Sequence, residues 1–370
     1  MRPFGVEEEL LIVDAETLAP APIAEEALRR SKSGSGSGTG VDVMTDHELT
    51  AEFKQEQIEV VCPPQATLDD QISAIREGRS LAAAAVGAVG GRLLAIPIIP
   101  GYAASTLSPG ERYDAISEEL GFTTLEHLTC GFHVHVEVES TDEGVGVLDR
   151  IRLWLPTLLA LSANSPFWQG VDTDYSSYRY QLLSRLPATG PTDVFGSRDD
   201  YEDHCRQLLG SGVPLDAGML YFDARLSARY QTVEVRVADI SMTAERAAVI
   251  ACLVRALVET AARDRHYGVE IAPVRTNLLR MWTWQASRDG VEADLVDPTT
   301  LSPAPARAVV GRLLDKLRPV LEETGERDHV EDVVTDILTT GSGARAQRRV
   351  HDDSGDLSDV IRHALDLTLR

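Results

Sequence analysis

The chain has 370 residues, 43% hydrophobic and 25% charged, with a formal charge of −23. That length accommodates one large domain or two ordinary ones, and the composition is that of a soluble globular protein. The acid excess argues against a nucleic-acid binder, which needs a basic face to displace counterions from phosphates. It leaves room for a nucleotide, because Mg²⁺ and Arg gathered locally reverse the field inside a cleft.

Residues 4–14 read as a strand, and the chain shows this pattern at once rather than a basic stretch followed by an apolar leader. Successive strand side chains point to opposite sides, so Glu7 and Glu9 share one face. The Gly/Ser run over 31–40 buries too little surface to order itself and is expected to be a mobile surface loop. The strands flanking it carry the same kind of acidic face, which places them in one sheet. Residues 57–63 form the second of these strands, with Glu59 on its polar side.

Thr67-Leu68-Asp69-Asp70 resembles a capping box opening an Ala-rich helix to about Gly90. A strand over 91–100 and a short helix over 111–121 follow, then a strand over 131–139 with His133 and His135 on one face. Residues 145–163 predict an apolar helix kinked at Pro156, and 199–209 another helix. One or two strands lie in 224–240, clearest at Val233-Glu234-Val235-Arg236-Val237, where a carboxylate and a guanidinium share a face opposite three valines. A strongly apolar helix covers 243–264, and from Val274 the pattern is helix after helix, broken at Gly290, 298–305 and Gly341-Ser342-Gly343. This order predicts an α+β fold in one domain over 1–370. Its antiparallel or mixed, curved sheet forms an open cleft, with helices on its outer face and a helical C-terminal part over 265–370.

The four cysteines show no C-x-x-C pair or disulfide spacing, so a reduced, cytoplasmic protein with buried free thiols is expected. Cys130, close to His133, is the one candidate thiol nucleophile. The longest apolar stretches, 81–89 and 153–161, fall short of the roughly 20 residues that span a bilayer, so no membrane partner is expected. The apolar helices over 145–163 and 243–264 offer a surface for a homodimer.

The polar faces of these strands carry mainly Glu and His, the ligands of hard divalent cations. The sequence has no P-loop, Rossmann glycine fingerprint, nucleophile elbow or H-E-x-x-H motif. Any nucleotide phosphates would therefore be gripped through metal ions. Glu7, Glu9, Glu59 and Glu234 on one concave face suit two or more Mg²⁺ ions, whose charge relieves the cost of burying so many carboxylates. Other readings remain open on the residues alone. Glu7-Glu8-Glu9 also fits a solvated strand end, Glu234 and Arg236 a surface ion pair, and His133-x-His135 a zinc hydrolase centre.

The order of five motifs resembles the type 2 glutamate–cysteine ligase family, the bacterial carboxylate–amine ligases of the glutamine synthetase-like superfamily. They are Phe4-Gly5-Val6-Glu7-Glu8-Glu9-Leu10, residues 52–63, Gly131-Phe132-His133-Val134-His135-Val136, Asn164-Ser165-Pro166 and Thr232-Val233-Glu234-Val235-Arg236. The likeness spans about residues 4–264; the C-terminal helices, with Gly343-Ala344-Arg345-Ala346-Gln347-Arg348, fit it more loosely. It implies an ATP- and Mg²⁺-dependent (or Mn²⁺-dependent) ligase joining an amino acid to an amine, by default glutamate to cysteine, with a non-catalytic homologue as the alternative. The implied metal ligands are Glu7, Glu9, Glu59, His133 and Glu234, with His135 beside them; Glu7, Glu9 and Arg236 engage the nucleotide. Arg236 and Glu234 are the implied catalytic pair, and Glu52, Gln55 and Arg179 face the substrate.

Overall fold

The computed structural model describes residues 1–34 and 47–370. Seven strands form the main sheet: β1 (Phe4–Asp14), β2 (Glu48–Ala51), β3 (Gln57–Val61), β4 (Gly91–Leu94), β5 (Phe132–Glu137) and, after a two-strand ribbon of β6 (Phe167–Trp168) and β7 (Val171–Asp172), β8 (Ala224–Leu226) and β9 (Thr232–Val235). Their order is β2-β3-β1-β5-β9-β8, with β4 also on β1, and every pairing is antiparallel. The sheet is open. β1 is long enough to take β5 along residues 4–8 and β4 along 11–14, both on the edge opposite β3.

Alternation assigns the faces. Phe4, Val6, Leu10 and Ile12 of β1, Ile58 and Val60 of β3, Phe132, Val134 and Val136 of β5 and Val233 and Val235 of β9 are all buried. Their face is covered by α2 (Leu68–Gly87) and α9 (Ala244–His266), which touch β1, and the resulting core runs on to Leu365 near the C-terminus. Thr67 caps α2 by accepting from the Asp70 amide, as the capping-box reading requires. Glu8 lies on this apolar side too. Its carboxylate takes two bonds from Arg79 of α2 (2.7 and 2.8 Å), and both side chains are fully buried. The middle glutamate of Glu7-Glu8-Glu9 is therefore a packing element, whereas its neighbours face the cleft.

Before β2 lies α1 (Ala24–Gly34); between β4 and β5 lie α3 (Glu111–Leu120) and α4 (Phe122–Leu125); α5 (Thr141–Ile151), α6 (Leu155–Ser162), α7 (Tyr178–Leu183) and α8 (Arg198–Gly210) follow β5. Beyond α9 come α10 (Thr276–Asp289), the hairpin β10 (Asp294–Asp297) and β11 (Ser302–Pro305), then α11 (Ala306–Thr324), α12 (Arg327–Thr340), α13 (Gly343–Ser354) and α14 (Leu357–Thr368).

Four expectations need correction. The run expected as a loop over 31–40 begins inside α1, which extends to Gly34; residues 35–40 lie outside the described residues. The strand expected over 91–100 is only Gly91–Leu94. The single kinked helix over 145–163 is two helices, α5 and α6. Pro156 sits in the first turn of α6, where its missing N–H costs nothing. The C-terminal part is helical as expected, and its break near 298–305 holds a hairpin in which β10 pairs with β11; two-strand ribbons tolerate prolines such as Pro303 and Pro305 on an edge. Finally, α9 is buried against α2, α5 and α11, and every residue of α6 is buried, so these apolar helices spend their faces inside this chain rather than on a dimer surface.

Candidate active site

The polar face of the sheet is the floor of a cleft, and register decides who meets whom. Glu9 of β1 lies opposite Glu59 of β3, and Glu7 lies opposite His133 of β5. His135 pairs across to Glu234 of β9, and Glu234 to Arg225 of β8. Continuing the β5–β9 register by one residue sets Arg236 beside His133, whose Nδ1 lies 3.5 Å from the guanidinium.

His133 sits at the centre. Its Nδ1 is 3.2 Å from Glu7 Oε2, and its Nε2 is 3.6 Å from Glu9 Oε1. Two sets of donor atoms each fall within 4.8 Å of one another: Glu7, His133 and Glu234, and Glu9, Glu59 and His133. Both sets are two carboxylates and one imidazole, a hard, oxygen-rich combination suited to Mg²⁺ or Mn²⁺ more than to zinc. Neither contains both histidines; His135 instead makes a 3.0 Å bond through Nδ1 with Thr232 and lies 3.3 Å from Glu7.

The acids fall into two electrostatic classes. Burial opposes ionisation of Glu7 and Glu234, but it is outweighed by hydrogen bonds from the His133 and His135 rings at Glu7 and by the charges of Arg236 and Arg225 at Glu234. Both carboxyls are held well below the usual range. Arg225 grips Glu234 with bonds of 2.8 and 3.2 Å, and Arg236 takes the same carboxylate from the other side. Glu52 and Glu59 have no ion-pair partner among the described residues. Burial, then repulsion from Glu9, pushes Glu52 up to about 8; burial, then repulsion from Glu52, Glu7 and Glu9, raises Glu59 well above its ordinary value. Such carboxylates call for a divalent cation, and the residues present fit one.

Arg179 of α7 enters from the side wall and is buried. A Cβ on Gly131 would come within 2.8 Å of its Nη2 and 3.0 Å of His133 Nε2, so a larger residue here would push the guanidinium away from His133. Arg179 is set by Asn164-Ser165-Pro166. Ser165 Oγ accepts from the Arg179 amide and donates to Asp239, which lies 3.6 Å from the guanidinium and also accepts from Asn164 N and Ser177. Gln347 of α13 anchors Asn164 through bonds to its carbonyl and side chain (2.6 and 2.8 Å), which ties the C-terminal helices to the site.

Glu7, Glu9, Glu52, Glu59, His133, Arg179 and Arg236 all line this one cleft; Glu234 is buried between Arg225 and Arg236, which line it. Gln55 does not line it. It sits on the turn between β2 and β3, where strand alternation lapses, and its amide donates to the Leu107 carbonyl. Cys130 is fully buried beside Gln57 Nε2 (3.3 Å), and burial raises its thiol far out of the nucleophilic range. Arg225, Asp239, Arg112 and His127 were not singled out in the sequence. Arg225 had a signal: a hairpin within 224–240 brings a cation opposite Glu234. The others depend on contacts between distant segments. On the far side of Glu7 a second, more apolar hollow opens between Phe4, Pro64, His135 and Tyr230.

No helix among the described residues is long and apolar enough to cross a membrane. Comparison with known proteins gives one answer at the level of sequence and one at the level of fold. At 47% identity, the chain matches a Paenarthrobacter aurescens protein named "Putative glutamate--cysteine ligase 2-1" over 99% of this chain and 94% of that one. A Streptomyces avermitilis protein of the same name matches at 42%, over 98% of both chains. Among solved structures, the glutamate–cysteine ligase of Francisella tularensis in complex with AMP shares the fold at a TM-score of 0.71 and 14% identity, over 100% of this chain and 89% of that one. The Pup ligase PafA, in complex with Pup, does so at 0.58 and 14%, over 100% and 74%. The profile described as "Glutamate-cysteine ligase family 2 (GCS2)" matches residues 3–363, so the chain belongs to glutamate–cysteine ligase family 2.

Proposed function

We propose that this protein is an ATP-dependent carboxylate–amine ligase that forms an amide through an acyl phosphate, with glutamate as the first carboxylate to test. The observation that carries this reading is the pair of carboxylate–imidazole sets sharing His133, with Arg236 at one end of the row and Arg179 opposite. The sequence relatives and the solved neighbours support it.

Magnesium held by Glu7, Glu9, Glu59, His133 and Glu234 would neutralise phosphate charge. Arg236, oriented by Glu234, stabilises negative charge on the phosphoryl group as it moves to the substrate carboxylate oxygen and its bond to ADP breaks. The amine lone pair then attacks the acyl carbon, the carbon–oxygen bond to phosphate breaks, and the nitrogen's surplus proton leaves with the phosphate or to water. The residues chiefly position and neutralise. The apolar hollow beside Tyr230, across Glu7 from the charged cleft, suits the nucleotide base.

Positional isotope exchange in ATP, with Mg²⁺ and glutamate but no amine, tests acyl-phosphate formation directly. Exchange is expected, together with thermal stabilisation by ATP only when Mg²⁺ is present. Tightly bound zinc, no exchange and no response to ATP would instead support a hydrolase centred on His133 and His135; ATP binding without exchange would mark a non-catalytic homologue.

A further inference from the structure

The cleft continues past the charged floor into a lobe of different chemistry. On α3, Arg112, Ile116 and Leu120 recur at one-turn spacing and all face the cleft. On the opposite wall Arg179 and Leu183 stand one turn apart on α7, and Leu186 follows. Each wall thus carries an arginine at one end and aliphatic side chains at the other. Ile116 is 3% exposed and Leu186 6%, yet neither belongs to the hydrophobic core clusters among the described residues; what they border is the cleft. His127 borders the lobe, and its enclosed Nδ1 has no hydrogen-bond partner among the described residues. The Glu126–Arg185 ion pair (2.6 Å) joins the two walls at the rim.

Such a lobe discriminates. A glutamate side chain placed there would set its second carboxylate among Ile116, Leu120, Leu183 and Leu186, while the bordering arginines, Arg112 and Arg185, are already paired with Asp216 and Glu126. An uncharged aliphatic side chain would replace water against Ile116, Leu120, Leu183 and Leu186, while Arg179 held its α-carboxylate beside the acidic floor. Cysteine would fill little of it.

We infer that the acceptor amine is an amino acid with a branched aliphatic side chain, its carboxylate on Arg179 and its side chain between Ile116, Leu120, Leu183 and Leu186. The inference rests on the ligase reading and deepens it by naming the acceptor class.

The test supplies ATP, Mg²⁺ and glutamate with leucine, isoleucine, valine, alanine, serine, cysteine or ammonium in turn, following phosphate release and identifying products by mass spectrometry. The branched acceptors should exceed alanine and serine in kcat/KM by roughly tenfold or more per added methylene. Leu183→Asn should raise the KM of the branched acceptor about tenfold while the KM for ATP stays within about twofold. Preference for cysteine, serine or ammonium, product with no acceptor at all, or a Leu183→Asn effect on glutamate's KM instead would overturn the inference. Isotope exchange with glutamate alone needs no acceptor. Exchange with the wrong acceptor preference therefore sinks this inference only, whereas absence of exchange sinks the ligase reading itself.

Discussion

Arg79→Met isolates the role of the one glutamate in Glu7-Glu8-Glu9 that turns away from the cleft. The Arg79 guanidinium uses all five of its N–H groups: two on Glu8, and one each on the carbonyls of Ser241 (2.8 Å), Met242 (2.9 Å) and Thr368 (3.0 Å). Neither Arg79 nor Glu8 reaches solvent. Methionine would leave the Glu8 charge buried without a partner, which costs about 3–5 kcal/mol, and would strip a donor from each carbonyl. The single substitution should therefore cost on the order of 5 kcal/mol, much of the 5–15 kcal/mol by which a typical protein is stable. Adding Glu8→Leu removes the stranded charge, so the double variant should recover about half of the loss, leaving the unpaired carbonyls. Urea unfolding of wild type, both single variants and the double variant measures this as a cycle. A loss below about 1 kcal/mol for Arg79→Met, or a double variant as unstable as the sum of the singles, would refute the burial argument. Any Glu8→Gln protein that folds should still form acyl phosphate, since Glu8 touches helix rather than cleft.

Arg236→Ala and Glu234→Gln should each lower ADP formation by roughly 10²–10³-fold or more with unchanged circular dichroism, and wild-type turnover in either would remove that pair from the mechanism. Gly131→Ala pushes a methyl group to 2.8 Å from Arg179 and 3.0 Å from His133, so kcat/KM should fall about 10²-fold while stability changes little; steady-state kinetics beside a melting curve decides. Glu59→Gln should stabilise the metal-free protein by about 1–3 kcal/mol at pH 8 and abolish its stabilisation by Mg²⁺. The sign follows from the raised carboxyl. Protonated Glu59 stabilises the fold below the unfolded value near 4.5, and that contribution is lost as pH rises through its raised folded value. The variant's advantage in EDTA should therefore grow from pH 5.5 to 8, and an advantage that is flat or shrinks over that window contradicts the assignment.

The site was legible wherever strand parity governs and illegible wherever it lapses. Parity separates Glu7 and Glu9 from Leu10, and His133 and His135 from Val134, before any partner strand is known. Register adds what parity lacks: Glu9 meets Glu59 and Glu7 meets His133 because β1 receives β3 and β5 on opposite edges over overlapping residues. Gln55 was misplaced because it stands on the turn after Ala51, where alternation no longer assigns a face. Glu8 shows the converse. Parity puts it on the apolar side, and only Arg79, 71 residues away, makes that position tolerable for a carboxylate. Asp239, His127 and the lobe of Ile116 and Leu186 join segments far apart in the chain, and no local pattern encodes such meetings. The acidic floor, shared across the sheet, is thus the part that repeats local rules. The cleft walls, α3 and α7, are where the chain departs from them, and specificity for the proposed amine should be sought there rather than among the glutamates.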